Sequence, residues 1–316
     1  MSPSDPSAPL VWLPFEPERL GSAPAGLRYE VFVDGGDAPV PDSVAEVEFY
    51  VPSYELIRDQ KRLLASMPRL RVVQTLTAGV DHIRAGVPEG VQLCNGRGIH
   101  NASTAELAVT LVLASLRGIP ELVHAQDEGR WHQGQQGQQG HQSLADKTVL
   151  IVGYGDIGAD LERRLVPFEV EVLRVARTAR EGVHATDELP ALLPRADVVV
   201  LVVPATRETR GMVDAGFLDR MREGALLVNV ARGPVVDTDA LLERLRAGRI
   251  RAALDVTDPE PLPADHPLWH APGVLITPHV GGATPAMWPR SYRLVAEQLE
   301  RFAAGAPLAN VMTGDY

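Results

Sequence analysis

The sequence predicts an α/β chain made of two doubly wound parallel-sheet domains. Two observations predict it. Short apolar runs rich in Val, Ile and Leu alternate with segments of helical length through the second half of the chain. A weaker series of the same kind fills the first half. Continuous rather than alternating apolar runs mark strands covered on both faces, and both-face cover is typical of parallel sheets. At roughly 100–200 residues per domain, a chain of 316 residues accommodates two such cores.

In the second half the expected strands are Val149–Val152, Val170–Val175, Val198–Val203, Ala225–Val230, Ala252–Val256 and Val274–Thr277. The expected helices between them are Ile157–Leu165, Asp187–Leu193, Phe217–Met221 and Thr238–Gly248. The last has an Asp/Thr cap region and ends at a glycine, as helices often do. Repeated strand–helix–strand units imply a doubly wound sheet. In the first half the expected strands are Val11–Leu13, Tyr29–Val33, Val47–Val51, Arg71–Leu76 and Val91–Cys94. Between the halves, Thr104–Leu116 is apolar on nearly every face, which predicts a helix buried all round. Either the same subunit or a second one can cover it. Gln133–Gln142, flanked by His132 and His141, is a Gln/Gly repeat that cannot form a core and reads as a loop. Its histidines show no recognisable metal-ligand spacing, so no metal is expected.

The formal net charge of −11 argues against general affinity for nucleic acid or anionic lipid. One cysteine, Cys94, excludes an internal disulfide framework and fits a reducing compartment. The Ser/Pro-rich start lacks an apolar core, and no apolar run approaches the ~20 residues that span a bilayer. A cytoplasmic protein without a membrane segment is expected.

Gly153-Tyr154-Gly155-Asp156-Ile157-Gly158 follows the strand Val149–Val152 and opens a helix. In that setting G-x-G-x-x-G is a dinucleotide fingerprint. The first glycine permits the tight turn, the second lets the backbone approach a pyrophosphate, and the third lets helix and strand pack closely. The phosphates then meet a helix N-terminus. An NAD site ends its second strand with an acid that holds the ribose hydroxyls. Here Val170–Val175 runs into Ala176-Arg177-Thr178-Ala179-Arg180 with no acid. A guanidinium can bind a 2′-phosphate that a carboxylate would repel. NADP(H) is therefore the preferred cofactor, with NAD(H) the alternative.

Three polar groups follow the ends of later strands: Arg232 after Ala225–Val230, Glu260 after Ala252–Val256, and His279 after Val274–Thr277. Ligands of open parallel sheets bind outside the strands' carboxyl ends. Reducing a ketone needs a hydride on carbon and a proton on oxygen. His279 is the natural proton donor. Glu260 can orient its ring and hold its charged form, and Arg232 can grip a carboxylate and polarise a carbonyl. Each residue alone has an ordinary structural explanation, but their shared strand-end placement beside the glycine fingerprint favours chemistry.

With these blocks in place, the sequence resembles the D-isomer-specific 2-hydroxyacid dehydrogenases over nearly its whole length. The matching stretches are Val149–Gly158, Asn229–Asp237, Ala253–Pro263, Leu275–Gly282 and, at the end, Gly305–Val311. The resemblance implies two Rossmann-like or flavodoxin-like domains, with the coenzyme domain (99–284) inserted in a substrate domain (1–98 plus 285–316). It also implies a homodimer formed through the buried helix and the arm. It makes Arg232 the substrate-binding arginine, His279 the acid/base and Glu260 its partner. It places Asp255 at the nicotinamide carboxamide, Thr104 at the nicotinamide, and Pro204, Val230, Ala231 and Gly281 along the cofactor. Ala78 and Gly79, within Leu76–Asp81, would bind the substrate carboxylate through backbone N–H groups. Tyr50 and Trp288 are candidate pocket walls. Thr257 stands where an aromatic residue is common, and Glu169 where glycine is usual.

The implied activity is hydride transfer between NAD(P)H and a small 2-oxo or 2-hydroxy acid, with glyoxylate and hydroxypyruvate as first candidates. Two other readings share the scaffold: a dinucleotide-sensing assembly factor like the C-terminal binding protein corepressors, and a dehydrogenase of an unusual substrate. Fold alone does not choose among them.

Overall fold

The computed structural model describes residues 6–34, 39–54, 59–131 and 141–313. The chain divides into two compact units, Met1–His100 with Pro285–Tyr316, and Asn101–Thr284.

The first unit holds β1 (Leu10–Leu13), β2 (Arg28–Val31), β3 (Val47–Tyr50), β4 (Val72–Gln74) and β5 (Gln92–Cys94). They pair in parallel in the order β2-β1-β3-β4-β5, the flavodoxin-like winding. Period-two alternation sends side chains to two cores. Val11 and Leu13 face the helix Met287–Ala303 through Val295, Leu299 and Phe302, whereas Leu10 and Trp12 join Leu63, Leu64 and Ile83. Tyr50 belongs to the second core: it is fully buried near the Trp12 and Phe32 rings, so it is not a pocket wall. Cys94 is a free, buried thiol.

The second unit holds β6 (Thr148–Val152), β7 (Glu171–Ala176), β8 (His184–Ala185), β9 (Val198–Leu201), β10 (Leu226–Asn229), β11 (Arg251–Leu254) and β12 (Val274–Ile276). All pairs are parallel, in the order β12-β11-β10-β9-β6-β7-β8. Six of these strands, taken in chain order from β6, wind as 3-2-1-4-5-6, the Rossmann arrangement, and β12 extends it by one. The winding direction reverses between β6 and β9, where such sheets bind ligands.

All eleven expected strands form, with ends displaced by one or two residues. β8 escapes sequence reading because two residues carry no periodicity. The segment expected as one helix over Asp187–Leu193 is three short pieces, Thr186–Glu188, Leu189–Leu192 and Leu193–Arg195, the middle one alone α-helical. Pro190 and Pro194 each remove a backbone donor there. The helix expected from Thr104 starts at Asn101, and its own chain covers one side of it. Ala105, Ala108, Leu111 and Val112 pack with Val149, Ile151 and Leu161 of the same unit, while Glu106 and Thr110 are exposed. Glu169 has φ +60°, a conformation that glycine adopts without strain. Residues 132–140, most of the Gln/Gly arm and His132 with it, lie outside the described residues. Among the described residues no single helix is long and apolar enough to cross a membrane.

Candidate active site

The fingerprint loop starts where β6 leaves the sheet. Gly153 has φ +107°, and a Cβ there would lie 2.7 Å from the Val202 carbonyl carbon. Only glycine fits both constraints. The Gly153 and Tyr154 amides both donate to the Val175 carbonyl, at 2.9 and 2.8 Å, so the turn is anchored to β7. A Cβ on Gly155 would meet nothing within 4 Å, which leaves room for a phosphate above the backbone. A Cβ on Gly158 would press on the Gly153 carbonyl oxygen at 3.0 Å, so the helix Asp156–Leu165 seats closely on the strand. Asp156 and Ile157 are in the first turn of that helix, whose opening N–H groups attract anions. These features fit the pyrophosphate of a dinucleotide.

A second set of contacts braces the loop. The Tyr154 hydroxyl donates to Glu162, which also receives Arg174 Nε at 2.8 Å. The Arg174 hydrogen bond holds the Glu162 carboxyl below its ordinary range, while burial, then Glu162, push the Tyr154 phenol up. Arg180 donates to the Tyr154 carbonyl at 2.6 Å and lies 5.8 Å from its ring centre, within cation–π range. Arg177, Thr178 and Arg180 are exposed beyond β7. Among the described residues neither Arg177 nor Arg180 forms an ion pair.

The strand ends bring two of the polar trio, Glu260 and His279, into direct contact and set Arg232 beside the same turn through the Gly233 backbone. At the end of β10, the Asn229 side chain accepts from the Ala231 amide at 3.0 Å and donates to the Arg232 carbonyl at 3.1 Å. Arg232 is half-buried, and its guanidinium donates to the Ala231 carbonyl at 2.7 Å. The next residue, Gly233, passes so close to β11's extension that a Cβ would fall 1.8 Å from the Thr257 carbonyl oxygen. The turn beyond Thr257 is pinned twice. Thr257 Oγ1 donates to the Pro259 carbonyl at 2.9 Å, and Thr238 Oγ1 to the Asp258 carbonyl at 2.7 Å. That turn carries Glu260, whose carboxylate pairs with His279 Nδ1 at 2.5 Å. The His279 and Glu260 side chains remain 46% and 40% exposed, so water and small solutes reach them.

His279 sits at φ +53°, an uncommon conformation for a residue with a Cβ. Asp255 holds it there. Buried at the end of β11, its carboxylate accepts from Thr277 Oγ1 at 2.7 Å and from the Val280 and Gly281 amides at 2.9 Å each. Its backbone carbonyl accepts from the His279 amide at 2.7 Å. Thr104 is buried beside this loop, with its methyl group 3.8 Å from where a Gly281 Cβ would stand.

The remaining expected site residues are placed as follows. Val230 and Ala231 bury their side chains in the cores flanking the sheet, so only their backbone can face a ligand. Pro204 is exposed just beyond β9, its carbonyl accepting from Thr209 Oγ1 at 2.6 Å. Ala78 and Gly79 lie in the first unit, on the loop after β4. Trp288 is partly exposed and stacks on Tyr292.

A family model described as "D-isomer specific 2-hydroxyacid dehydrogenase, NAD binding domain" matches residues 109–281, more than half of the chain. The chain belongs to the D-isomer specific 2-hydroxyacid dehydrogenase family. It is an NAD(P)-dependent 2-hydroxyacid dehydrogenase, and its relatives agree. It is 36% identical over 235 residues to a mouse glyoxylate reductase/hydroxypyruvate reductase, covering 72% of each protein. It is 33% identical over 278 residues to a D-3-phosphoglycerate dehydrogenase of Archaeoglobus fulgidus, covering 83% of this chain but about half (52%) of that longer protein. Among solved structures, a D-isomer specific 2-hydroxyacid dehydrogenase from Xanthobacter autotrophicus, in complex with NADPH and MES, superposes with a TM-score of 0.79 at 32% identity. That match covers 97% of this chain and 98% of the other.

Sequence reasoning on this dehydrogenase missed Asn229, Glu162 and Arg174, which brace loops. Glu162 and Arg174 meet only after their strand and helix pack, and Asn229 bonds only to the local backbone of Ala231 and Arg232, so no periodic spacing marks them. It found Asp255 but not its bonds to the His279 loop. Replacing Asp255 by Asn should remove one of these acceptors and loosen the loop. Each hydrogen bond to a charged group contributes about 1.5–3 kcal/mol, so Asp255→Asn should lower the melting temperature and cut turnover at least ~10-fold. Calorimetry and steady-state assays check this, and a variant matching the parent in both would refute the role given to Asp255.

Proposed function

We propose that the chain reduces small 2-oxo acids, glyoxylate or hydroxypyruvate among them, to 2-hydroxy acids, with NADPH as the preferred reductant. The observation that carries this reading is the His279–Glu260 pair, linked through the Thr257–Glu260 turn to Arg232. When bound, the dinucleotide supplies the hydride. Glu260 holds His279 Nδ1, which leaves Nε2 to give its proton to the substrate's carbonyl oxygen. Because the imidazole is partly exposed, solvent can return that proton. Arg232 binds the carboxylate next to the reacting carbonyl and polarises that carbonyl. In the first unit, the Ala78 and Gly79 amides are donors suited to a substrate carboxylate, and their small side chains permit close approach. Pro204, Val230, Ala231, Thr104, Asp255 and Gly281 border the cofactor. In the oxidative direction the proton and hydride move the other way through the same groups.

The preference for NADPH rests on Arg177, Thr178 and Arg180 beyond β7, with Ala176 where an acid would hold the ribose of NAD. The name of the mouse relative supports the substrate class. The assembly is a homodimer in the cytoplasm. Ile119 and Val123 on the helix Ile119–Asp127 are nearly half exposed, and Trp131 just beyond it is 93% exposed. Ile119 and Val123, four residues apart, share one side of that helix and leave apolar surface that suits a second copy of this chain.

Three outcomes are expected. NADPH oxidation, followed spectrophotometrically, should accompany addition of glyoxylate or hydroxypyruvate, and His279→Gln should abolish it while NADPH still quenches tryptophan fluorescence. Unchanged turnover in His279→Gln would refute the acid/base role. Cofactor-dependent capture of a protein partner, with no turnover of any 2-oxo acid, would favour a sensing scaffold instead. Exchanging Arg177 for Asp and Arg180 for Ala should lower the ratio of kcat/KM for NADPH over NADH about 10- to 100-fold, the range for lost charged hydrogen bonds. An unchanged ratio would place phosphate discrimination elsewhere. Val123→Glu should convert the dimer to a monomer in light scattering, and a dimer that persists would move the interface off this helix.

A further inference from the structure

The loop Leu76–Val80 of the first unit has its carbonyls tied down one after another. The Leu76 carbonyl accepts from His100 Nε2 at 2.9 Å. The Thr77 carbonyl accepts from Thr75 Oγ1 at 2.8 Å and from the Gly96 amide at 2.7 Å. The Ala78 carbonyl accepts from Asn95 Nδ2 at 3.0 Å, and the Gly79 carbonyl from Thr77 Oγ1 at 2.7 Å. A trans peptide plane points its C=O and its N–H in opposite directions. Fixing the Thr77 and Ala78 carbonyls therefore fixes the opposite heading of the Ala78 and Gly79 amides. Among the described residues no acceptor takes either amide.

Asn95 can set this heading because it is itself immobilised. It is 7% exposed. Its side-chain oxygen accepts from the Arg97 amide at 3.2 Å, and its backbone amide donates to the Asn310 carbonyl at 3.1 Å. Its own carbonyl accepts from Gln74 Nε2 at 3.1 Å, and Gln74 in turn accepts from Gln298 Nε2 at 2.7 Å. Both glutamines are completely buried. A hydrogen-bonded network of buried amides favours one geometry, since rearranging it leaves a polar group unpaired.

We propose that Asn95 is a positioning residue for the substrate carboxylate: its side-chain amide turns the Ala78–Gly79 peptide so that consecutive N–H groups face the anion. The inference rests on the reading that these amides bind the carboxylate, and adds the group that aims them. Asn95 does not touch the substrate. It acts through one carbonyl on the far side of the peptide plane.

Asn95→Asp is the decisive variant. It keeps the shape and the acceptor for Arg97, but it cannot donate to the Ala78 carbonyl. The KM for glyoxylate should rise about tenfold, the effect of one hydrogen bond on binding, with kcat and the KM for NADPH nearly unchanged and a lower melting temperature, because the Ala78 carbonyl loses its donor. In ¹⁵N-labelled protein with NADP⁺, oxalate should shift the Ala78 and Gly79 amide resonances in the parent, and the variant should need about tenfold more oxalate. An unchanged glyoxylate KM and oxalate response would overturn the inference, as would an equal rise in both KM values. Absence of turnover in the parent would defeat the functional reading alone. The oxalate titration would then decide for Asn95 if the variant weakened the amide shifts, and against it if the parent showed none.

Discussion

A buried carboxylate at the end of β11 is the constraint on which the placing of the His279–Glu260 pair depends. Water solvates an ionised carboxylate far better than a protein interior does, so a buried one persists only where donors replace that water. Asp255 meets this condition with one hydroxyl and two backbone amides, all from the segment after β12. Satisfying the charge forces that segment into a tight turn. The turn places His279 in a left-handed conformation whose cost, about 1–2 kcal/mol, is offset by the bonds to Asp255. His279 then meets Glu260 because two threonine hydroxyls hold the intervening turn.

The cofactor side is built on a different economy of space. Gly153 and Gly233 both mark places where two backbones run too close for any Cβ. One lets β6 turn into its helix under the end of β9, and the other lets β10's extension touch that of β11. The result is that a tight glycine loop, a guanidinium and an imidazole–carboxylate pair all arise from carboxyl ends of one parallel sheet. Such a sheet aligns all its strands, so its loops collect at one edge, and chemistry there needs no long-range folding device beyond the winding itself.

Much of this was legible in the sequence because it is periodic or local. Uninterrupted Val/Ile/Leu runs gave away the strands, and the glycine spacing announced both the tight turn and the helix that follows it. Arg232, Glu260 and His279 could be placed because each comes shortly after a strand. Tyr50 misled because its ring suggests recognition, yet it fills a core beside Trp12 and Phe32. The helix at Asn101–Leu116 was legible only in part: its composition is apolar throughout, and its own chain covers one side of it. What could not be read were the braces. Glu162 meets Arg174 and Tyr154 only after β6 and β7 have paired, and Asn95 meets the Ala78 carbonyl only through the packing of two loops. Glu169 shows the reverse gain, since its left-handed φ explains why glycine suits that position.

The central claim is that the strand ends of the second unit bring a nicotinamide ring, Arg232 and the His279–Glu260 pair to one point. A crystal structure of the chain with NADP⁺ and oxalate tests it most directly. The account predicts the pyrophosphate over Gly155 and the opening turn of the helix Asp156–Leu165, with the nicotinamide beside His279 and oxalate between His279 and Arg232. A ring lodged away from His279, or Arg232 and His279 facing different ligands, would contradict it.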